Sequence, residues 1–97
     1  MRGSPAVNAP ALAPGVRFRR SADGQGALLI PEGVVNLNDS AAAIVELLDG
    51  QRTVDEIAAL LAERYGIDLA VVRSDIEDLV QRLSQKLWLV RSTARTP

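Results

Sequence analysis

Side chains able to do chemistry are few in this sequence. Asp75, Glu77 and Asp78 lie close enough together to suggest a metal cluster, Ser40, Thr53 and Ser74 offer hydroxyls, and Tyr65 a phenol. Each has a simpler reading. The three acids fall in the first turns of a helix, where the dipole favours negative charge facing water. Asp78 is spaced to pair with Arg82 at i, i+4. The hydroxyls sit where helices begin, and none has a candidate base, because the chain contains no histidine and no cysteine. Those absences remove the commonest general base, thiolate catalysis, disulfides and the usual transition-metal ligands. Gly24, Gly26 and Gly33 lack the strand–loop–helix spacing of a phosphate cradle. The expectation is a protein that is not an enzyme, holds no metal or cofactor, and works by binding.

The elements that would carry a binding surface follow from periodicity. Residues 1–15 are rich in Pro, Ala and Gly, and Pro5, Pro10 and Pro14 predict a flexible leader; its opening Met-Arg-Gly-Ser resembles the start of an expression tag. Val16 to Arg20 alternates apolar and basic, the period of a half-buried strand with Val16 and Phe18 inward. Asp23-Gly24 marks a turn. Ala27 to Ile30 is a short apolar run, consistent with a central strand covered on both faces. Ile30-Pro31-Glu32-Gly33 suits a tight turn, and Val34 to Leu37 returns as a third strand.

Helices come next. Asn38, Asp39 and Ser40 suit a helix start, Ala41, Ile44, Val45 and Leu48 recur at helical spacing, and Gly50 closes this first helix. Thr53 and Glu56 form a capping-box pair for the second, with Ile57, Leu60, Leu61 and Tyr65 as its buried stripe and Gly66 as its stop. The third begins after Asp68, or at Ser74 with Glu77, and buries Val72, Ile76, Leu79, Val80 and Leu83. Residues 87–90 pack back as an extended segment, and 91–97 form a frayed tail. The domain is therefore residues 16–90: a three-stranded antiparallel meander followed by three helices, an α+β fold with a winged helix-turn-helix outline.

Charge argues against the nucleic-acid function which that outline raises. Residues 1–20 carry four arginines and no acids, whereas residues 21–90 carry twelve acids against five bases, a balance of −7. A recognition helix opening with Asp68, Asp75, Glu77 and Asp78 resists a phosphate backbone. No apolar run approaches the ~20 residues that span a bilayer, and no signal pattern opens the chain, so the expected compartment is the cytoplasm.

The sheet edges are more informative. An outer strand presents unpaired backbone donors and acceptors, usually guarded by charge or proline. Arg17, Arg19 and Arg20 guard the first strand. The third, Val34 to Leu37, has neither charge nor proline, so it is either packed against something or open to strand addition by a peptide. An open edge also invites a second copy, giving a homodimer.

The run Leu28-Leu29-Ile30-Pro31-Glu32-Gly33-Val34-Val35-Asn36-Leu37-Asn38-Asp39-Ser40-Ala41-Ala42-Ala43-Ile44 resembles the signature of the PqqD family. Asp49 to Val54 with Ile57, and Leu83 to Leu89, fit the same pattern, so the resemblance covers roughly residues 15–90. One departure is Lys86-Leu87, where relatives usually carry a basic residue and glycine. The resemblance implies a peptide chaperone of pyrroloquinoline quinone biosynthesis that binds the precursor peptide PqqA and delivers it to the radical S-adenosylmethionine enzyme PqqE. It also implies a peptide lying beside the third strand in a cleft walled by the third helix. The site residues it suggests are Val34, Val35, Asn36 and Leu37 with Arg73, Ile76 and Val80. Two other functions remain open from the sequence: the same fold serving a different modified peptide, or a winged-helix DNA-binding regulator.

Overall fold

The computed structural model describes residues 9–92, with side chains as far as Val90. Five strands and three helices follow one another as β1 (Ala9–Leu12), β2 (Arg17–Arg20), β3 (Gly26–Ile30), β4 (Gly33–Leu37), α1 (Asp39–Val45), α2 (Val54–Tyr65), α3 (Leu69–Gln85) and β5 (Leu89–Ser92). The expected meander is present as an antiparallel sheet in the order β2-β3-β4. Phe18, Ile30 and Val35 pack against the core built by Leu28, Leu37, Val45, Ile57, Ile76 and Val80, while Ala27 and Leu29 do not. The central strand is thus covered on one face only, a correction to the two-faced reading of its apolar run.

A second correction concerns the chain ends. Part of the expected leader is a strand: β1 pairs antiparallel with β5, with Ala9 opposite Ser92 and Leu12 opposite Leu89. Pro10 does not prevent this. Its carbonyl accepts the Gly50 N–H at 3.0 Å, so its backbone faces the α1–α2 link rather than β5, and no ladder bond needs the missing N–H. Ala9 and Pro10 are buried there. Arg91 and Ser92, read as frayed, belong to β5. Residues 1–8 of the leader and 93–97 of the tail lie outside the described residues.

The helix starts follow their cap chemistry. Asn38 Oδ1 accepts the Ala41 N–H at 2.8 Å. Thr53 and Glu56 make both bonds of the capping box, at 2.8 and 3.1 Å. Asp68 caps α3 through the Ala70 N–H, so this helix begins at Leu69 and Ser74 lies inside it. α1 stops earlier than its periodicity suggests: the N–H groups of Leu47 and Leu48 bond three residues back, a tightened turn that still buries Leu48. In the link to α2, Asp49 accepts the N–H groups of Gln51 and Arg52 and pairs with the Arg52 guanidinium at 2.6 Å. Partial burial pushes its carboxyl pKa up, but those donors outweigh it and hold the value below the ordinary carboxylate range.

On α2 the inward stripe is Ile57, Ala58 and Leu61; Tyr65, expected inside, lies exposed in the last turn. On α3 all five expected residues, Val72, Ile76, Leu79, Val80 and Leu83, are buried. The end of α3 carries strain. Leu87 has φ +63°, the left-handed region that favours glycine, and its side chain is 82% exposed. The position is fixed by the Trp88 N–H reaching back to the Leu83 carbonyl at 3.0 Å. Leu87→Gly is therefore expected to stabilise the domain by about 1 kcal/mol, relief of a left-handed leucine being only partly offset by the freer unfolded chain. Urea denaturation measures it, and a lower midpoint for the glycine variant would refute the strain argument.

Candidate peptide-binding edge and cleft

β4 is an edge strand, and its register decides which backbone groups are free. The β3–β4 hairpin pairs Ile30 with Gly33, Leu28 with Val35 and Gly26 with Leu37. Ile30 and Gly33 flank a two-residue turn, so they exchange hydrogen bonds directly, and the alternation of an antiparallel ladder makes Leu28–Val35 and Gly26–Leu37 the other bonded pairs. Val34 and Asn36 fall between them. Their N–H and C=O groups point outward from the sheet, and they bond to no other element among the described residues. The Val35 backbone, by contrast, is spent on Leu28.

Where β4 ends, Asn38 begins the rim of a cleft of about 190 Å³ between α1 and α3. Ser40, Ala41 and Ile44 line it from α1, and Asp75, Asp78, Leu79 and Arg82 from α3. The spacing of these α3 residues places them on one helix face. The expected Asp78–Arg82 pair is absent. Among the described residues none of Asp75, Asp78 and Arg82 takes part in an ion pair, which leaves three charged side chains around an apolar floor.

The structure separates the expected site residues into two groups. Val34, Val35, Asn36 and Leu37 lie together on the edge strand; Val34 is 62% exposed, Asn36 is exposed, and Leu37 turns into the core. The residues expected from α3 are elsewhere. Ile76 and Val80 are fully buried and present no surface to a ligand. Arg73 extends to α2, where it binds Asp55 at 3.0 Å and also contacts Glu77 at 3.4 Å, so it ties two helices together. Beside Leu79, the α3 residues that face the cleft are Asp75, Asp78 and Arg82. Helical spacing from buried Leu79 was the signal that could have selected them, since neighbours at i−4, i−1 and i+3 flank it on one side.

Comparison with known proteins places this arrangement. The family described as coenzyme PQQ synthesis protein D (PqqD) matches residues 25–89, a span that holds the meander's last two strands and all three helices. A PqqA binding protein of Rhizobium meliloti (strain 1021) is 40% identical over 79 residues, which cover 80% of this chain and 81% of that one. The bifunctional coenzyme PQQ synthesis protein C/D of Methylorubrum extorquens is 39% identical over 83 residues, and this chain spans 22% of its length. The solution structure of the PqqD portion of the Methylobacterium extorquens PqqCD protein, described as a stand-alone recognition element for ribosomally synthesized and post-translationally modified peptides, superposes with a TM-score of 0.70 at 39% identity; the match covers 84% of this chain and 88% of that one. Lasso peptide synthetase B1, solved with its leader peptide, superposes with a TM-score of 0.71 at 26% identity, over 84% of this chain and 98% of that one. With the signature run forming β3, β4 and the start of α1, and with this breadth of match, the chain belongs to the PqqD family.

Proposed function

We propose that this protein is a peptide carrier that binds the precursor peptide PqqA along β4 and presents it to the radical S-adenosylmethionine enzyme PqqE, with no catalysis of its own. The observation that carries this reading is the pair of outward-facing backbone positions, Val34 and Asn36, on an edge without charge or proline and beside an open cleft. An extended peptide laid there gains main-chain hydrogen bonds at alternate residues, and those bonds set its register. Its side chains then fall alternately on the two faces of the sheet, and the cleft can discriminate among those on the helix side. Relatives described as PqqA binding proteins, and a structural neighbour solved with a leader peptide, support a peptide as the partner. A carrier of this kind works in the cytoplasm, where a ribosomally made precursor is first available. Among the described residues no helix is long and apolar enough to cross a membrane. A second copy pairing edge to edge would compete with the peptide, so any homodimer should dissociate as peptide binds.

Asn36→Pro tests the reading directly. It removes one outward N–H and places a ring against the incoming strand. It should weaken PqqA about tenfold, the equivalent of about 1.4 kcal/mol, while leaving the hairpin bonds intact. Val35→Pro is the matched contrast, because it breaks a bond to Leu28 and should unfold the hairpin instead. Calorimetric titration with PqqA reads the first effect and circular dichroism the second. Unchanged affinity in a folded Asn36→Pro protein would sink strand addition.

A further inference from the structure

Among the described residues, no helix or strand packs on the outer face of the sheet. Pairing places Arg17, Leu29 and Val34 in one row across the three strands, and Arg19, Ala27 and Asn36 in the next. These rows point away from the helices: Phe18, Ile30 and Val35 pack on the core from the other face, whereas Ala27, Leu29 and Val34 do not join it. Arg20, on the inner side, is occupied, since it pairs with Glu46 at 2.9 Å and stacks on Phe18. Arg17 and Arg19 are exposed and take part in no ion pair or side-chain hydrogen bond among the described residues. The result is a small apolar strip, Leu29 and Val34, with two arginines unpaired among the described residues on one side and the β4 edge on the other. It is a cationic face on a domain whose residues 21–90 are strongly acidic.

This face gains a role once a peptide lies on β4, so its assignment rests on the proposed carrier function. A strand added to that edge continues the sheet, and its side chains alternate between the two faces. One set turns toward the cleft and helices and is screened there. The other set stands beside Val34 and Asn36, in line with the Arg17–Leu29–Val34 row. Among the described residues nothing blocks an enzyme that reaches the bound peptide from this second side. We propose that the outer face of the β2-β3-β4 sheet, with Leu29 and Val34 as its apolar strip and Arg17 and Arg19 as its cationic border, is the docking surface for the peptide-modifying enzyme. The partner surface that this face fits is an apolar patch rimmed by carboxylates. Grasping carrier and peptide through one continuous face lets the enzyme favour the loaded carrier over the empty one. The two arginines mainly accelerate and orient the encounter, as rim charges do.

The test uses the full chain, PqqA and the purified radical S-adenosylmethionine enzyme. The double variant Arg17→Glu, Arg19→Glu should stay folded and bind PqqA with affinity within about twofold of the parent, because neither guanidinium touches the β4 edge. Its affinity for the enzyme, with peptide bound, should fall about tenfold or more, and the parent's association should weaken as salt rises from about 50 to about 500 mM. Leu29→Lys, which changes the strip without touching the edge, should give the same split. Undiminished enzyme affinity in both folded variants overturns the assignment. So does an equal loss of peptide affinity, which would make the face part of the peptide site, or a parent dimer that the substitutions dissociate, which would assign it to self-association. A parent that binds no PqqA removes the carrier function instead, and shows itself in the first titration before any enzyme is added.

Discussion

Ile76→Ala should cost about 2–5 kcal/mol of folding stability and leave peptide affinity unchanged in whatever fraction remains folded. Ile76 is completely buried on α3, within the cluster that joins the sheet to α2 and α3. Truncation removes three methyl or methylene carbons from a cluster in which Ile57, Leu28 and Val80 are also fully buried, so a cavity there is closed to water. A domain of this size has about 5–15 kcal/mol in all, so the loss is a large share of it. With about 4–8 °C of midpoint shift per kcal/mol, thermal unfolding should fall by tens of degrees at the upper end. Urea denaturation with and without saturating peptide distinguishes core from cleft. Full stability combined with lost affinity would return Ile76 to the binding site.

Gly26→Ala should destabilise by about 1–3 kcal/mol, although alanine is ordinarily better than glycine within a strand by about 0.5–1 kcal/mol. A Cβ at this position would stand 2.6 Å from the Ala42 Cβ and 3.1 Å from Cε1 of the Phe18 ring. Ala42 is buried on α1 and has no torsion with which to move aside. β3 and α1 approach so closely that relief requires shifting one whole element. Ala42→Gly in the same chain should recover part of the loss, less about 1 kcal/mol for glycine within a helix. A double-mutant cycle then measures the contact itself, and strict additivity of the two changes would show that the clash is not what destabilises the single variant.

Much of the fold was legible because local chemistry and global packing agree. Asn38, Thr53 and Asp68 each carry a side chain that satisfies an orphan N–H, and each begins its helix. The five apolar positions of α3 repeat at helical spacing, and all five are buried. What could not be read depended on distant partners. Nothing near Ala9 announces a strand, because its partner lies at Ser92, and proline normally argues against one. The apolar run of β3 suggests cover on both faces, yet Leu29 faces outward, since a run without alternation says nothing about which side is filled. At the candidate site the edge strand was evident from its lack of guards, but the helix side was not. Ile76 and Val80 are apolar and lie on α3, which in the sequence alone does not distinguish a core side chain from a cleft wall. Only the rotation of that helix about its axis decides that Asp75, Asp78 and Arg82 line the cleft while Arg73 reaches across to Asp55.

The pairing of β1 with β5 also sets how the domain bears load. Ala9 and Ser92 lie opposite one another, so tension applied at the two ends of the described chain meets at one point and falls on the outermost bonds of a four-residue ribbon. The bonds then open one after another, as in a zipper, rather than sharing the force as sheared strands do. Because the Pro10 carbonyl also holds the Gly50 N–H, peeling β1 away loads the α1–α2 link as well. A peptide drawn away from β4 would instead load the other sheet, β2-β3-β4, across its own edge.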